Sequence, residues 1–255
     1  MLSLRKKRES FNVLNTPVVL FILIIITVFR IYSLHVSPIE LSVDEAQYWH
    51  WSRNIDFGYF TKPPLIAWMI AFSTLVFGNE EWAVRLFSPI THLFISLVLW
   101  GTAKIAFGSN SGKVAALIWI FTPAASLGGF IISTDTPLLL FWSLSLFFLL
   151  ISIRQNSSFS SLFVGIFLGF AFLSKYAALY FLIFLIIWWL IYDRSTFLSI
   201  KNISIILLTS ALIASTNLYW NYLNDFATVN HTISNANLST ISLNYNNVID
   251  FLSSQ

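Results

Sequence analysis

The sequence predicts an all-α polytopic membrane protein with about seven transmembrane helices and a first outer loop of interfacial helices. Three observations carry that prediction. Of 255 residues, 57% are hydrophobic and only 10% are charged. Apolar runs recur at the length of a bilayer crossing, about 20 residues for a hydrocarbon core of about 30 Å. The charges are sided, with basic residues at one set of loops and acids at the other, as the positive-inside rule describes.

The elements follow in order. Arg5-Lys6-Lys7-Arg8 precedes the apolar run Val18 to Phe29, but no small-residue cleavage site follows. An uncleaved signal anchor with a cytoplasmic N-terminus is the resulting reading. Spans are predicted at 16–34, 84–106, 112–131, 136–153, 161–174, 176–192 and 202–220. The apolar segment 64–77 reaches only about 21 Å as a helix, and charge assigns it to the interface. With 64–77 interfacial, Arg5 to Arg8, Lys104, Lys113, Arg154, Arg194 and Lys201 all fall on the cytoplasmic side. Nine of the eleven acids then fall outside: Glu40, Asp44, Glu45, Asp56, Glu80, Glu81, Asp135, Asp225 and Asp250. A spanning 64–77 would invert this pattern.

Residues 35–83 form the first outer loop and hold VDEAQYWHWSRNIDFGYFTKPP, an acid pair, an aromatic run and a Lys-Pro-Pro. Ser42-x-x-Glu45 is a capping box, and Asp44 suits a first helical turn, so both acids can serve a helix start. On that helix Asp44, Tyr48 and Trp51 share one face, and Glu45, Trp49 and Ser52 the next. One face thus presents a carboxylate backed by aromatics that can stack on sugar or sit in an interfacial belt.

Arg30, Arg53, Lys62, Arg85 and Lys175 oppose the orientation rule. Lys175 alone breaks the apolar run from Ser161 to Tyr192, and an ionisable group inside a membrane costs about 2.5–3.5 kcal/mol, so a partner or a wet cavity is expected there. Lys62 and Arg85 can snorkel to headgroups or, with Lys175, supply charge-assisted hydrogen bonds to a phosphate. Asp135, in Ser133-Thr134-Asp135-Thr136-Pro137, reads as a helix N-cap or as an acid at the outer mouth of two spans.

Other chemistries are not indicated. The absence of cysteine removes thiolate catalysis and thiolate metal sites. His35, His50, His92 and His231 lack ligand spacing, and there is no nucleotide-binding loop or nucleophile elbow. The net charge of +3 comes from residues flanking spans, which gives no nucleic-acid surface.

DEAQYWHWS, GYFTKPPLIAW, EEWAVRL, TDTPLLLFW, LGFAFLSKYAAL and LYWNYLNDF, in that order, resemble bacterial membrane glycosyltransferases of the dolichyl-phosphate-mannose protein mannosyltransferase and aminoarabinose transferase type. The resemblance covers about residues 15–255 and implies a GT-C bundle forming a single domain over 1–255. It implies transfer of a sugar from a polyprenyl-phosphate donor to lipid A, a lipopolysaccharide sugar or a protein, on the periplasmic side of the inner membrane. By position, Asp44 matches the catalytic acid and Glu45 its neighbour. Lys62, Arg85 and Lys175 match basic positions that meet the lipid phosphate, and Asp135 matches a further acid of the cavity. Tyr48, Trp51 and Tyr59 complete the expected substrate-binding set. Thr61 stands where aminoarabinose transferases carry a metal-linked Glu, so neither metal nor other cofactor is expected.

Members of that family are commonly much longer. The chain is therefore expected to be half of a split enzyme, with a separately encoded C-terminal half, or an inactive remnant. A lipid or sugar flippase is the rival reading, carried by Lys175 and Asp135 near the membrane, and a membrane scaffold is a third.

Overall fold

The computed structural model describes residues 14–191 and 198–235. The Arg5 to Arg8 cluster, Arg194, Asp250 and the segment 251–255 lie outside the described residues. All regular structure among the described residues is helical: α1 (Thr16–Val36), α2 (Val43–Ser52), α3 (Leu65–Phe77), α4 (Glu81–Arg85), α5 (Phe87–Phe107), α6 (Ser109–Phe121), α7 (Pro123–Gly128), α8 (Asp135–Gln155), α9 (Ser158–Ser174), a 3-10 turn at Tyr176–Ala178, α10 (Leu179–Ile191), α11 (Ile200–Leu223) and α12 (Ala227–Asn235).

Local sequence explains the boundaries. Pro17 occupies the first turn of α1, where its missing N–H costs nothing. The hydroxyls of Ser157 and Ser199 accept from backbone N–H groups and cap α9 and α11. Gly78 and Gly108, at φ 88° and 103°, end α3 and α5 in a conformation open to glycine.

Among the described residues four helical stretches are long and apolar enough to cross a membrane: Thr16–Val36, Glu81–Phe107, Asp135–Gln155 and Ile200–Leu223. They match four of the seven predicted spans; α9, α10 and α3 are shorter apolar helices. The predicted span 112–131 is instead two helices, α6 and α7, broken at Thr122-Pro123. Pro123 cannot donate its backbone hydrogen bond and pushes Thr122 out of helical geometry, and the Thr122 hydroxyl then caps α7. Phe21 and Phe29 on α1 are 64% and 67% exposed, and Leu208 and Leu212 on α11 are also bare. Such rows of large apolar side chains suit lipid contact.

The bundle packs α9 between α8 and α11, and α5 against α6 and α8. Gly165 and Gly169 make the α9–α11 contact possible: a Cβ at Gly169 would stand 2.6 Å from the Ile213 Cβ, and one at Gly165 would overlap the Thr209 hydroxyl. This is the small-x-x-x-small packing by which membrane helices approach closely. Leu149, Val164, Leu168, Phe181, Leu185 and Ile206 fill the core alongside it. A second core of Tyr48, Ile66, Ile70, Val84 and Ile132 seats α2, α3 and α4 across one end of the bundle. The C-terminal ends of α9 and α11 and the N-terminal end of α8 meet this layer.

Candidate active site

The layer of α2 to α4 places every sequence-predicted site residue at this loop end or beside it. The capping box forms: Ser42 Oγ accepts from the Glu45 N–H at 3.4 Å, and Glu45 Oε2 accepts from the Ser42 N–H at 3.0 Å. The face that α2 buries carries Glu45, Tyr48 and Ser52.

Glu45 and Arg85 bind each other. Arg85 Nε and Nη2 donate to the two Glu45 oxygens at 2.8 Å each, Nη1 donates to the Ile39 carbonyl at 2.9 Å, and Nη2 also reaches the Glu40 carbonyl at 2.8 Å. Glu45 Oε1 accepts from the Ile132 N–H at 3.0 Å as well. The two residues are 1% and 2% exposed, and each occupies the other in this structure. Burial alone would raise the Glu45 pKa, but the bonds from Arg85, Ser42 and Ile132 outweigh it and hold the carboxyl below its ordinary value.

Two more of the anomalous cations have structural partners. Arg30 Nη2 donates to the Ile120 carbonyl at 2.7 Å, near the α6–α7 break. Arg53 donates to Asn79 Oδ1 at 2.7 Å and to the hydroxyls of Ser52 and Thr74, and its guanidinium lies over the Trp49 ring. Lys62 and Lys175 remain. Lys62 is half-buried, and its side chain has no hydrogen-bond or ion-pair partner among the described residues. Lys175 lies in the extended break between α9 and the 3-10 turn and donates to both oxygens of Asp135, at 2.7 and 2.9 Å. Asp135 is the first residue of α8 rather than its cap, which is Thr134.

Asp44 is exposed on α2, one turn before Tyr48. Tyr48 lies within electrostatic reach of Asp44, Asp135 and Glu45. Burial, followed by the negative charges of Asp44, Asp135 and Glu45, pushes its pKa up to about 12. Its hydroxyl therefore stays neutral. Its ring, however, is 2% exposed within the second core, so it offers no face for sugar stacking, contrary to the sequence expectation. Trp51 stacks on Tyr59 at 4.9 Å and 6°, and both line an open cleft of about 560 Å³ beside Trp220 and Asp225.

A buried polar network went unforeseen. The Tyr176 hydroxyl donates to Asn217 Oδ1 at 2.8 Å, Asn217 Nδ2 donates to the Phe57 carbonyl at 2.7 Å, and the Thr228 hydroxyl donates to the Tyr59 carbonyl at 2.6 Å. It ties the outer loop to α11, α12 and the turn that carries Lys175. Its signal in the sequence is the pair Asn217 and Asn221, at i and i+4 in an otherwise apolar helix. Beyond Tyr176 lies an apolar cavity of about 640 Å³ between α9, α10, α11 and α12, lined by Leu168, Phe172, Leu182, Leu207, Leu218 and Ile233 among others.

Among the described residues no three carboxylate or imidazole groups converge. The position before Lys62 is Thr61, whose buried hydroxyl has no partner among the described residues.

Comparison with known proteins gives a consistent pattern. A family model for dolichyl-phosphate-mannose-protein mannosyltransferase matches residues 61–220. The chain is 33% identical over 237 residues to the lipid A galacturonosyltransferase RgtD of Rhizobium johnstonii, covering 92% of this chain and 50% of RgtD. The chain thus spans about half the length of that relative. Its fold is similar to ArnT from Cupriavidus metallidurans bound to undecaprenyl phosphate, with a TM-score of 0.71 and 17% identity over 84% of this chain and 43% of ArnT. The apo form of ArnT superposes with a TM-score of 0.66, also at 17% identity, over 82% of this chain and 42% of ArnT.

Proposed function

Because the chain belongs to the dolichyl-phosphate-mannose-protein mannosyltransferase family of membrane glycosyltransferases, we propose that it transfers a sugar from a polyprenyl-phosphate donor to a lipid A or lipopolysaccharide sugar. The observation that carries this reading is the Lys175–Asp135 pair at the loop end of a membrane bundle, the end that also presents an exposed Asp44. RgtD acts on lipid A and the ArnT structure contains undecaprenyl phosphate, which supports this choice of acceptor and carrier class.

In this reading an acceptor hydroxyl attacks the anomeric carbon of the donor. The new carbon–oxygen bond forms as the bond to the phosphate oxygen breaks, polyprenyl phosphate leaves, and the hydroxyl proton passes to the Asp44 carboxylate. Lys62 and Lys175 neutralise the departing phosphate. Lys175 and Asp135 are about 37% and 51% exposed at their side chains, so their pairing is worth no more than about 1 kcal/mol and yields readily to a phosphate. The apolar cavity that begins beside Tyr176 suits an isoprenoid tail whose phosphate sits at Lys175. Glu45 and Arg85 act on the site only by holding α2 against α4.

Lys175→Met keeps the bulk of the side chain and removes its charge. Undecaprenyl phosphate should then bind the purified protein at least tenfold more weakly, about 1.4 kcal/mol. Unchanged affinity in folded protein would return Lys175 to a purely structural pairing with Asp135.

The loop end faces the periplasm of the inner membrane in this account, since Lys104, Lys113, Arg154 and Lys201 sit toward the opposite end. The chain has no native cysteine, so single cysteines report sidedness cleanly. Asp56→Cys and Asp225→Cys should label from outside, and Gly108→Cys and Ser157→Cys only after permeabilisation. Outside labelling at position 108 would invert the arrangement and make α3 a crossing.

A further inference from the structure

The cleft of about 560 Å³ lies between the C-terminal end of α2, the loop after it and the turn joining α11 to α12, with Trp51, Asp56, Tyr59, Trp220, Asn224 and Asp225 in its wall. Its construction is unusual in two respects. Asp225 and Phe226, neither of them glycine, both take positive φ, 53° and 55°. Such backbone is costly and persists only where its surroundings hold it. Here Asn230 Nδ2 donates to the Asp225 carbonyl at 3.0 Å, and the Phe226 N–H donates to the Asn221 carbonyl at 2.7 Å. Across the cleft, the Trp220 indole lies so close to the loop that a Cβ on Gly58 would stand 2.7 Å from its Cδ2. The sequence thus keeps a glycine where the ring must approach and holds an aspartate on a strained turn beside it.

We propose that this cleft is a subsite for an uncharged, hydroxyl-rich sugar ring of the acceptor, distinct from the sugar that reacts. The inference rests on the transfer reading above and names what the site takes. Ionised carboxylates only accept hydrogen bonds, and sugar hydroxyls supply donors to match. The aromatic rings offer apolar surface to the C–H face of a pyranose, and Asn224 can both donate and accept. Among the described residues no lysine or arginine lines the cleft. Asp56 and Asp225 therefore repel a phosphate or carboxylate, which separates this subsite from the donor's phosphate near Lys62 and Lys175. A chain of ring contacts nevertheless links the cleft to the helix that carries Asp44. The Tyr48 and Trp51 rings lie 5.6 Å apart, and Trp51 stacks on Tyr59. From Asp44 to Trp51 the helix rises about 10 Å. A ring in the cleft would therefore belong to a sugar beyond the one whose hydroxyl Asp44 serves.

The test is calorimetric titration of the full chain in nanodiscs with N,N′-diacetylchitobiose and with a phosphate ester of the same disaccharide, beside undecaprenyl phosphate in the same preparation. The uncharged disaccharide should bind and the phosphorylated one should bind at least tenfold more weakly. Trp220→Ala should weaken the uncharged disaccharide at least tenfold while leaving undecaprenyl phosphate unchanged. The double variant Asp56→Asn/Asp225→Asn keeps side-chain shape, and asparagine tolerates the positive φ at 225. It should narrow the gap between the two disaccharides to less than threefold, a result that stands even if Trp220→Ala fails to fold. Protein that binds undecaprenyl phosphate but not the disaccharide overturns the subsite alone. Disaccharide binding without undecaprenyl phosphate binding keeps the subsite and removes the transfer reading, and loss of both removes each. Equal affinity for the two disaccharides in the wild type also overturns the proposal.

Discussion

Glu45→Gln or Arg85→Met, each made alone, should destabilise the fold by about 3–5 kcal/mol, the cost of leaving one member of a buried ion pair without its partner. The size follows from what the pair holds. Arg85 satisfies the carbonyls of Ile39 and Glu40 as well as both Glu45 oxygens, and Glu45 also accepts from the Ser42 and Ile132 N–H groups. Breaking the pair therefore loosens the entry to α2, the start of α5 and the loop before α8 together. Thermal unfolding in detergent measures the loss, and a shift worth less than about 1 kcal/mol would mean that Arg85 is free for a ligand after all. Acid should act in the same way. Because the Glu45 pKa is lowered in the fold, its contribution is complete above the ordinary carboxylate pKa and disappears as pH falls through the lowered folded value. Glu45→Gln should remove that part of the acid sensitivity.

Asp44→Asn should leave the fold intact and reduce transfer by about 10²–10⁴-fold. Asp44 is exposed, and among the described residues its side chain has no hydrogen-bond or ion-pair partner, in contrast to its neighbour. Asparagine retains the shape and one acceptor oxygen but cannot take a proton. The deficit should fall on kcat, with donor affinity preserved, because the proposed phosphate contacts come from Lys62 and Lys175 rather than from Asp44. A helix-start role alone would produce the reverse, a small stability change with turnover intact.

How much of this was legible in the sequence depended on how local each cause was. The capping box at Ser42 and Glu45, the helix break at Lys175 and the four long spans follow from spacing and hydropathy, and the structure contains them. The partner of Arg85 lies 40 residues away in the chain. From sequence alone Arg85 is only a cation on the wrong side, and a ligand is as good an explanation as a buried acid. Arg30 and Arg53 share that ambiguity, resolved by carbonyl, hydroxyl and ring contacts that only the packed bundle creates. Pro123 marks the α6–α7 break, yet continuous hydropathy argues for a single span across it, and backbone geometry decides. Tyr48 shows the limit of face reasoning: its spacing from Asp44 is right for a shared face, but the ring is drawn into the core by Ile66, Ile70 and Val84, leaving only its hydroxyl for the site. Gly165 and Gly169, by contrast, carry a local signal of close helix approach that spacing alone can recover.

Transfer itself is the most direct measurement: labelled sugar moved from a panel of polyprenyl-phosphate donors to lipid A and lipopolysaccharide acceptors by membranes containing this chain. The chain is assayed alone and with the product of any reading frame immediately downstream. Transfer that depends on Asp44 in either arrangement is the result the account predicts. No transfer in both arrangements, while an intact relative is active on the same donors and acceptors, would contradict it and leave a glycosyltransferase fold without the reaction.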